Sequence, residues 1–422
     1  MTEPLPRFFR MRQSFPRPRI EHVSAAVASA LDGCIERELR NQTVAITVGS
    51  RGIAAIAEIT RACVDFLKQR GAQPFLVPAM GSHGGATDDG QADVLARLGI
   101  TQATMGCPVR SSMEVVQVAT AAEGFPVYFD RTALSADHVL VVNRIKPHTR
   151  FAGDIESGLM KMMLIGLGKR QGAEVYHRVI FNYSFDQIVR SVSRRVIERC
   201  SILAGLAILE NAYEETAEVV GVVPGEIEVR EPELLGRVKS WMPRLPFDKA
   251  DLLIVDQIGK NISGAGMDTN VIGRKYNDHA AIDGDSPNIH HIYVRGLTQA
   301  THGNASGIGL AELCHRRVIE AMDRNSTHLN CITAGHITAA MLPIDFATDR
   351  QALATACQVS GYVSHDQLTA LWIRDTLSLS EVECSEAFFE MASRHPDIEI
   401  LSQPSQLQFD EHGDLLPRFQ IH

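Results

Sequence analysis

Short apolar runs alternate with longer amphipathic stretches along the first half of the chain. Residues 43–48 (TVAITV), 74–80 (PFLVPAM) and 138–143 (HVLVVN) have the length and the apolar, β-branched-rich character typical of buried strands. Residues 56–71 and 88–99 place apolar side chains three and four positions apart and end at a glycine, which predicts helices. This strand–helix alternation predicts an α/β fold, with a mostly parallel sheet covered by helices on both faces.

Prolines and charged residues cluster between residues 230 and 251, which predicts a domain boundary. We expect an N-terminal α/β domain at 1–235, a linker at 236–250 and a C-terminal α/β domain at 251–422 whose last residues are free to pack back on the first domain. Two α/β lobes with mostly parallel sheets and an active site in the cleft between them are therefore expected.

Composition narrows the class of protein. The 422 residues are 45% hydrophobic and 22% charged, and the net charge of −9 argues against a nucleic-acid-binding scaffold, which needs a basic face. No run of 18 apolar residues is present, and the first residues lack the apolar core of a secretion signal. Eight scattered cysteines without a C-x-x-C pair indicate reduced thiols. We expect a cytoplasmic protein that binds neither nucleic acid nor membrane.

The stretch VAITVGSRGIAAIAE resembles the start of a dinucleotide-binding fold but lacks its details. Only Gly49 and Gly52 are present, the third position is Ala54, and no Tyr-x-x-x-Lys pair follows. A free nicotinamide cofactor is therefore not expected. Arg51 follows the first predicted strand, where its planar guanidinium would suit a carboxylate, although a solvated loop arginine is an equal alternative.

Three histidines lie in loops or at strand ends. His83 follows the second predicted strand in a glycine-rich turn, His148 follows the third, and His177 comes sixteen residues after Lys161. A single such histidine is most often structural, but three beyond strand ends suggest a site. Imidazole titrates near pH ~6.5 and also binds transition metals, so proton transfer and metal ligation are both open to this set.

Lys161 lies in the apolar stretch GLMKMMLIGLGK, residues 158–169. Its ammonium either reaches out to water or is kept dry, and a dry lysine favours the amine form, which attacks carbonyl or thiocarbonyl groups. Lys169 is a rival for such a covalent anchor, but its sequence setting, GLGKRQG, reads as a polar loop.

In chain order, SRG, GSHGGAT, PHTRFAG, SGLMK, VYH and DQIGK resemble the motifs of the nickel-dependent lactate racemase family. The resemblance implies that Lys161 carries the nickel-pincer nucleotide (pyridinium-3-thioamide-5-thiocarboxylic acid mononucleotide) and that His177 binds nickel. It implies that His83 and His148 are the paired acid–base histidines. The implied reaction is a reversible hydride transfer, coupled to proton transfer, that inverts a 2-hydroxy acid.

The same resemblance implies that Arg51, Gln257 and Lys260 bind the substrate. It also implies that separate maturation enzymes make the cofactor and are partners of this protein. The expected activity is therefore that of an isomerase, a 2-hydroxy-acid racemase or epimerase.

Several positions depart from the pattern of the lactate enzymes. Residues 154–156 (DIE) lengthen the interval between His148 and Lys161, and Val48 stands where those enzymes carry an acidic residue. Trp372 is a candidate for their pocket tryptophan only because it is present. These differences favour a 2-hydroxy acid other than, or in addition to, lactate. A glycine-rich loop offers three further candidates that are either substrate-facing or structural: Asp268, Asn270 and Arg274.

Two alternative functions remain open at this level. One is a binding or regulatory paralogue of the same fold without the cofactor. The other is a metal hydrolase with His83, His148 and His177 around a metal-bound water, which leaves Lys161 without a role.

Overall fold

The structure is a computed structural model, and it describes residues 5–50, 52–279, 282, 285–361 and 364–419. The chain folds into two compact units. The N-terminal unit is Pro16–Met242, and the C-terminal unit is Met1–Phe15 together with Pro243–His422.

The N-terminal unit is built on a sheet of five described strands in the order β3-β2-β6-β7-β8. Two further strands, β4 (Val115–Thr120) and β5 (Pro126–Asp130), form a separate hairpin. The strands of the sheet are β2 (Thr43–Val48), β3 (Gln73–Pro78), β6 (His138–Arg144), β7 (Ile202–Glu210) and β8 (Thr216–Val222). Its helices are α1 (Val23–Asp32), α2 (Ile56–Gln69), α3 (Asp88–Arg97), α4 (Gln102–Met105), α5 (Arg131–Leu134), α6 (Leu159–Lys161), α7 (Lys169–Val179), α8 (Phe185–Arg199) and α9 (Ile227–Trp241). The pairs β2–β3, β2–β6 and β6–β7 are parallel, and β7–β8 is antiparallel.

Both faces of this sheet are covered, as the continuous apolar runs predicted. Alternate residues of β2 point to opposite sides, so Ala45 belongs to one hydrophobic core while Val44 and Ile46 belong to the other. Helices α6 to α9 pack into the first core, and α1 to α4 pack into the second. Strands buried on both faces need apolar side chains at every position, which explains why they do not alternate in sequence.

The C-terminal unit contains a sheet of eight described strands in the order β12-β11-β10-β9-β13-β14-β1-β15. Its strands are β1 (Phe8–Gln13), β9 (Lys249–Val255), β10 (Asn288–Val294), β11 (Leu313–His315), β12 (Ile344–Phe346), β13 (Ala370–Ile373), β14 (Glu381–Ser385) and β15 (Ile398–Ile400). Its helices are α10 (Thr269–Ile272), α11 (Arg316–Ala321), α12 (Arg324–Thr333), α13 (Asp349–Val359) and α14 (Phe389–Arg394). The five strands from β12 to β13 are parallel, whereas β14, β1 and β15 add antiparallel. The predicted fold class, α/β with mostly parallel sheets, is confirmed.

The observed units differ from the predicted domain bounds of 1–235, 236–250 and 251–422 in three respects. Strand β1 pairs with β14, so Phe8–Gln13 belong to the C-terminal unit. Residues 236–241 are not a linker but the last turns of α9, whose apolar face fills the core in spite of Pro232. The last residues pack in their own unit, because Leu407 and Leu415 are buried beside Trp372. The predicted cleft between the lobes stays a prediction.

Within the described residues, no helix combines the length and the apolar character needed to cross a membrane.

Candidate functional site

The site in the N-terminal unit forms where three adjacent parallel strands end. Strand β2 pairs with β3 on one side and with β6 on the other. Ser50 follows β2, His83 follows β3 and His148 follows β6, so all three lie beyond the carboxyl edge of one sheet. Parallel α/β sheets bind ligands at this edge, because the loops that carry functional groups converge there.

His83 is exposed, and its Nδ1 lies 2.5 Å from Ser50 Oγ. Its loop is fixed from below by the buried side chain of Gln91, which donates from Nε2 to the carbonyl oxygens of Gly81 at 2.9 Å and of His83 at 3.3 Å. The position of this imidazole is therefore set by a buried amide on α3.

Lys169 is the group that holds Gln91, and the expectation of a polar, loop-like setting for this lysine is wrong. Its side chain is fully buried, pairs with Asp130 at 3.0 Å, and donates to Gln91 Oε1 at 3.0 Å and to the Pro78 carbonyl oxygen. Burial lowers the pKa of Lys169 and raises that of Asp130, because each charge loses its hydration. Lys169 therefore stabilises the fold and is not accessible as an anchor.

His148 is half-buried, and its Nδ1 accepts hydrogen bonds from the backbone N–H groups of Arg150 at 3.1 Å and Phe151 at 3.3 Å. A nitrogen that accepts carries a lone pair, so neutral His148 has its proton on Nε2. The backbone N–H of His148 donates to the buried carboxylate of Glu156 at 2.7 Å. The N–H groups of Arg150 and Phe151 thus set the tautomer of the ring, and Glu156 holds the backbone of His148.

The ring of Phe151 joins the predicted residues. It stacks on His148 with centroids 4.0 Å apart, and Lys161 Nζ lies 5.5 Å from its centroid. Phe151 also meets the edge of Tyr176 at 5.8 Å, and Tyr176 lies 5.4 Å from the ring of His177. His148, Lys161 and His177 are therefore arranged around one aromatic cluster within the N-terminal unit.

Lys161 is half-buried at the end of α6, and the chain then continues as a π-helical turn, Met162–Gly166. The neighbouring Met160, Met162 and Met163 are core residues, in line with their apolar pattern. The carbonyl oxygen of Gly166 accepts the Gly81 N–H at 3.4 Å, so this turn contacts the loop that carries His83. Single π-turns are frequent at functional sites.

His177 lies on α7 and is exposed. Desolvation lowers the pKa of its imidazole from the ordinary value, which favours the neutral form that binds metals. Within the described residues, its ring nitrogens have no hydrogen-bond partner. The side chain is thus available as a single imidazole ligand.

The predicted substrate-binding residues are distributed over the chain. Arg51 lies outside the described residues. Gln257 and Lys260 belong to the C-terminal unit, where Gln257 is exposed and Lys260 Nζ donates to the Gly264 carbonyl oxygen and to Asn330 Oδ1, both at 2.6 Å. That these residues meet the histidines at one substrate stays a prediction.

Two further candidates in the C-terminal unit are structural. Arg274 is fully buried, pairs with Glu312 at 3.0 Å and donates to the Ile289 carbonyl oxygen, so it does not face a substrate. Trp372 is buried in β13 and donates to Asp256 Oδ1 at 2.6 Å, which excludes a role in a substrate pocket. The other loop candidates are local: Asp268 is buried and accepts from the N–H of Asn270, as the cap of α10.

In the part of the chain that the structure describes, the one group of three His, Cys, Asp or Glu side chains close enough to share a metal is His315, Asp349 and Asp414. Asp349 already accepts from Arg295 at 2.7 Å and from Tyr293 at 2.6 Å, so this cluster is a satisfied ion-pair network. Among the described residues the three candidate histidines do not form such a group, so the geometry lends no support to the alternative of a hydrolase with a three-histidine metal.

The donor set of the N-terminal unit fits the implied cofactor. A covalently tethered planar nucleotide requires one accessible primary amine, an aromatic or apolar surface beside it, and one free imidazole for the metal. Lys161, Phe151 and His177 provide these three features, with Tyr176 between the last two.

The fold is α/β, and the candidate site places imidazole and amine side chains beyond the carboxyl ends of parallel strands. Residues 20–187 match the family model of the lactate racemase N-terminal domain, and this match supports the lactate racemase-like family predicted from the motifs. No curated protein sequence matches the chain.

Two solved structures are similar to the chain. The lactate racemase apoprotein of Thermoanaerobacterium thermosaccharolyticum is 14% identical, with 87% of this chain and 84% of that chain covered and a TM-score of 0.48. A protein of Thermotoga maritima is 13% identical, with 78% and 84% covered and a TM-score of 0.48.

Four residues that support the site are not predicted from the sequence: Ser50, Gln91, Phe151 and Glu231. One of them had a readable signal. On α9 the apolar residues Ile227, Leu234, Leu235 and Val238 form one stripe, and Glu231, four residues after Ile227, falls on that stripe. A carboxylate on an apolar face indicates a buried acid with a function.

Proposed function

We propose that this protein is a 2-hydroxy-acid racemase or epimerase that works with a nickel-pincer nucleotide tethered to Lys161. The observation that carries the proposal is the shared Phe151 ring, which contacts His148 at 4.0 Å and lies 5.5 Å from Lys161 Nζ. It brings the predicted acid–base group and the predicted anchor together, within the segment that matches the lactate racemase N-terminal domain.

Lys161 would hold the nucleotide through its amine, and His177 would supply one neutral nitrogen to nickel. When bound, the cofactor would supply hydride acceptance, which no amino-acid side chain provides. Phe151 and the buried methionines beside Lys161 would exclude water from that place.

His83 and His148 would move the proton of the substrate hydroxyl. Ser50 both donates and accepts, so His83 is able to present either a lone pair or a proton at Nε2. His148 presents a proton at Nε2, and giving it up requires Nδ1 to take one. The N–H groups of Arg150 and Phe151 must then turn away from Nδ1, so we expect the turn at 148–151 to change when substrate binds.

Arg51, Gln257 and Lys260 would bind the substrate carboxylate and a further polar group. In this arrangement Lys260 exchanges its hydrogen bond to Gly264 or the one to Asn330 for a bond to the substrate.

The test is co-expression with cofactor maturation enzymes, followed by peptide mass and nickel analysis, with a known lactate racemase loaded in parallel. We expect an adduct on the peptide with Lys161, near-stoichiometric nickel, and retention of the α-deuterium when labelled 2-hydroxy acids are inverted. Lys161→Arg keeps the charge but cannot form the same linkage, so it should carry no adduct. An unmodified Lys161 beside a loaded control enzyme would favour the cofactor-free binding paralogue, and loss of deuterium to solvent would refute hydride transfer.

A further inference from the structure

The start of helix α6 lacks a cap of its own. Its N-cap residue, Gly158, has no side chain, so the first backbone N–H groups of the helix need an acceptor from elsewhere. Glu231 of α9 provides it: Oε2 accepts the Met160 N–H at 2.9 Å. Lys161, the predicted anchor, directly follows Met160 in the chain.

Gly158 leaves room for this carboxyl group. A Cβ at position 158 would overlap Glu231 Oε1, and the backbone there is extended, so glycine is required by contact and not by its φ angle. On the other side, Asn143 Nδ2 donates to the Gly158 carbonyl oxygen at 2.7 Å. The turn before Lys161 is thus fixed both by α9 and by the end of β6.

The same helix supports His148 through a second carboxylate. Lys239, two turns after Glu231 on α9, pairs with Glu156 Oε1 at 2.6 Å, and Glu156 Oε2 accepts the His148 N–H at 2.7 Å. The side chain of Glu156 is 1% exposed, whereas that of Lys239 is 44% exposed. Glu156 belongs to the stretch 154–156 that lengthens the interval between His148 and Lys161.

We propose that α9 is the positioning element of this site, with Glu231 setting the place of Lys161 and Lys239, through Glu156, setting the place of His148. The inference rests on the proposed function for the roles of Lys161 and His148. The inference adds that Glu231, Glu156 and Lys239 fix the conformation of the lengthened interval between His148 and Lys161. Neither glutamate touches substrate or cofactor; both act through the backbone of the residues they hold.

Capping a helix with the buried carboxyl group of Glu231 carries a desolvation penalty, and this supports a role for Glu231 beyond stability. The side chain is 1% exposed, and in the described part of the chain its Oε1 has no hydrogen-bond partner. Burial raises the pKa of Glu231 to about 7, because the carboxylate loses its hydration. Helices are usually capped by a serine or aspartate at the N-cap itself, without the desolvation cost of a buried carboxylate. The use of a remote carboxyl group here indicates that the position of the helix start is what Glu231 provides.

The experiment uses the 422-residue protein without added cofactor and compares Glu231→Leu, Glu231→Gln and Lys239→Met. Glu233→Gln is the matched control, since that side chain lies on the same helix, is 52% exposed and pairs only locally with Arg230. Two quantities are measured: hydrogen exchange by mass spectrometry in peptides covering 148–151 and 158–163, and the pH profile of competitive acetylation of Lys161.

In Glu231→Leu we expect roughly tenfold faster exchange at 158–163 and a shifted acetylation profile of Lys161, because the helix start loses its acceptor. Glu231→Gln keeps an acceptor oxygen and should restore both readouts. Lys239→Met should speed exchange at 148–151 and leave 158–163 unchanged.

The proposal is overturned if Glu231→Leu matches Glu233→Gln in both readouts, or if exchange rises equally over the whole N-terminal unit. Should Glu231→Leu fail to fold, the same two readouts are compared in Glu231→Gln and Lys239→Met. Unchanged hydrogen exchange at 148–151 in Lys239→Met overturns the part of the proposal that concerns His148. Cofactor loading of the wild type is measured separately. Absence of an adduct there contradicts the proposed function and leaves these local readouts unaffected.

Discussion

The imidazole of His148 and the ring of Phe151 stack with an interplanar angle of 9° and centroids 4.0 Å apart. The Phe151 N–H also donates to His148 Nδ1, so one residue fixes both the face and the tautomer of the histidine. Because Lys161 Nζ lies over the same ring, Phe151 links the two predicted functions of the N-terminal unit.

Phe151→Ala should therefore lower both stability and activity. We expect a loss of about 2 kcal/mol in the free energy of unfolding, from lost apolar contact and stacking, and roughly a tenfold drop in kcat/KM of the loaded enzyme. Urea unfolding and steady-state kinetics measure these effects. Phe181→Ala is the control, because that ring is 78% exposed. Equal behaviour of the two variants would contradict a role for Phe151.

Lys161 and Lys169 should separate function from stability. Lys169→Met leaves the Asp130 carboxylate buried without its partner, so we expect a loss of about 3–5 kcal/mol in the free energy of unfolding. Lys161→Met should change stability by less than about 1 kcal/mol and abolish the cofactor adduct. Urea unfolding and peptide mass check both results. An adduct on Lys169, or one that survives in Lys161→Met, would refute the assignment of the anchor.

His177→Ala should remove nickel without unfolding the protein. The side chain is exposed, and its ring nitrogens have no hydrogen-bond partner among the described residues, so we expect a change in stability within about 0.5 kcal/mol. In co-expressed protein the adduct on Lys161 should persist while nickel falls far below stoichiometry. His412→Ala is the control, since that histidine is 78% exposed in the C-terminal unit. Full nickel content in His177→Ala would exclude it as the ligand.

Stability should depend on pH through Glu231. Its pKa is about 7 in the folded protein and near 4.5 in the unfolded chain, so between these values the folded state holds a proton that the unfolded state has released. The stabilisation by the protonated form is complete below pH 4.5 and is lost as the pH rises through 7. The free energy of unfolding of Glu231→Gln, measured relative to that of the wild type, should therefore increase by on the order of 3 kcal/mol from pH 4.5 to pH 8.

Urea unfolding of wild type and Glu231→Gln at both ends of this range measures the difference. Glu233→Gln should show no such pH-dependent difference, because its side chain is exposed. A difference that stays constant would show that the carboxyl group ionises at an ordinary pKa, and a change in the opposite direction would show that its pKa is lowered in the folded protein.

The sequence by itself determined the fold class and the strand ends at which the candidate site residues lie. Strand β2 and helices α2 and α3 lie where the apolar periodicity placed them, because burial on one or two faces imposes a period that can be read from the chain. The histidines after β3 and β6 followed from the same reasoning, since loops beyond parallel strands form one edge.

Only the tertiary structure decided which lysine is accessible, what strand β1 pairs with, and what α9 does. Lys161 and Lys169 stand eight positions apart in one apolar stretch, and their difference comes from Asp130 and Gln91, which are distant in sequence. Glu231 and Met160 are separated by 71 residues. Local sequence encodes burial and period, but the partner of a buried charge is set by packing between remote segments.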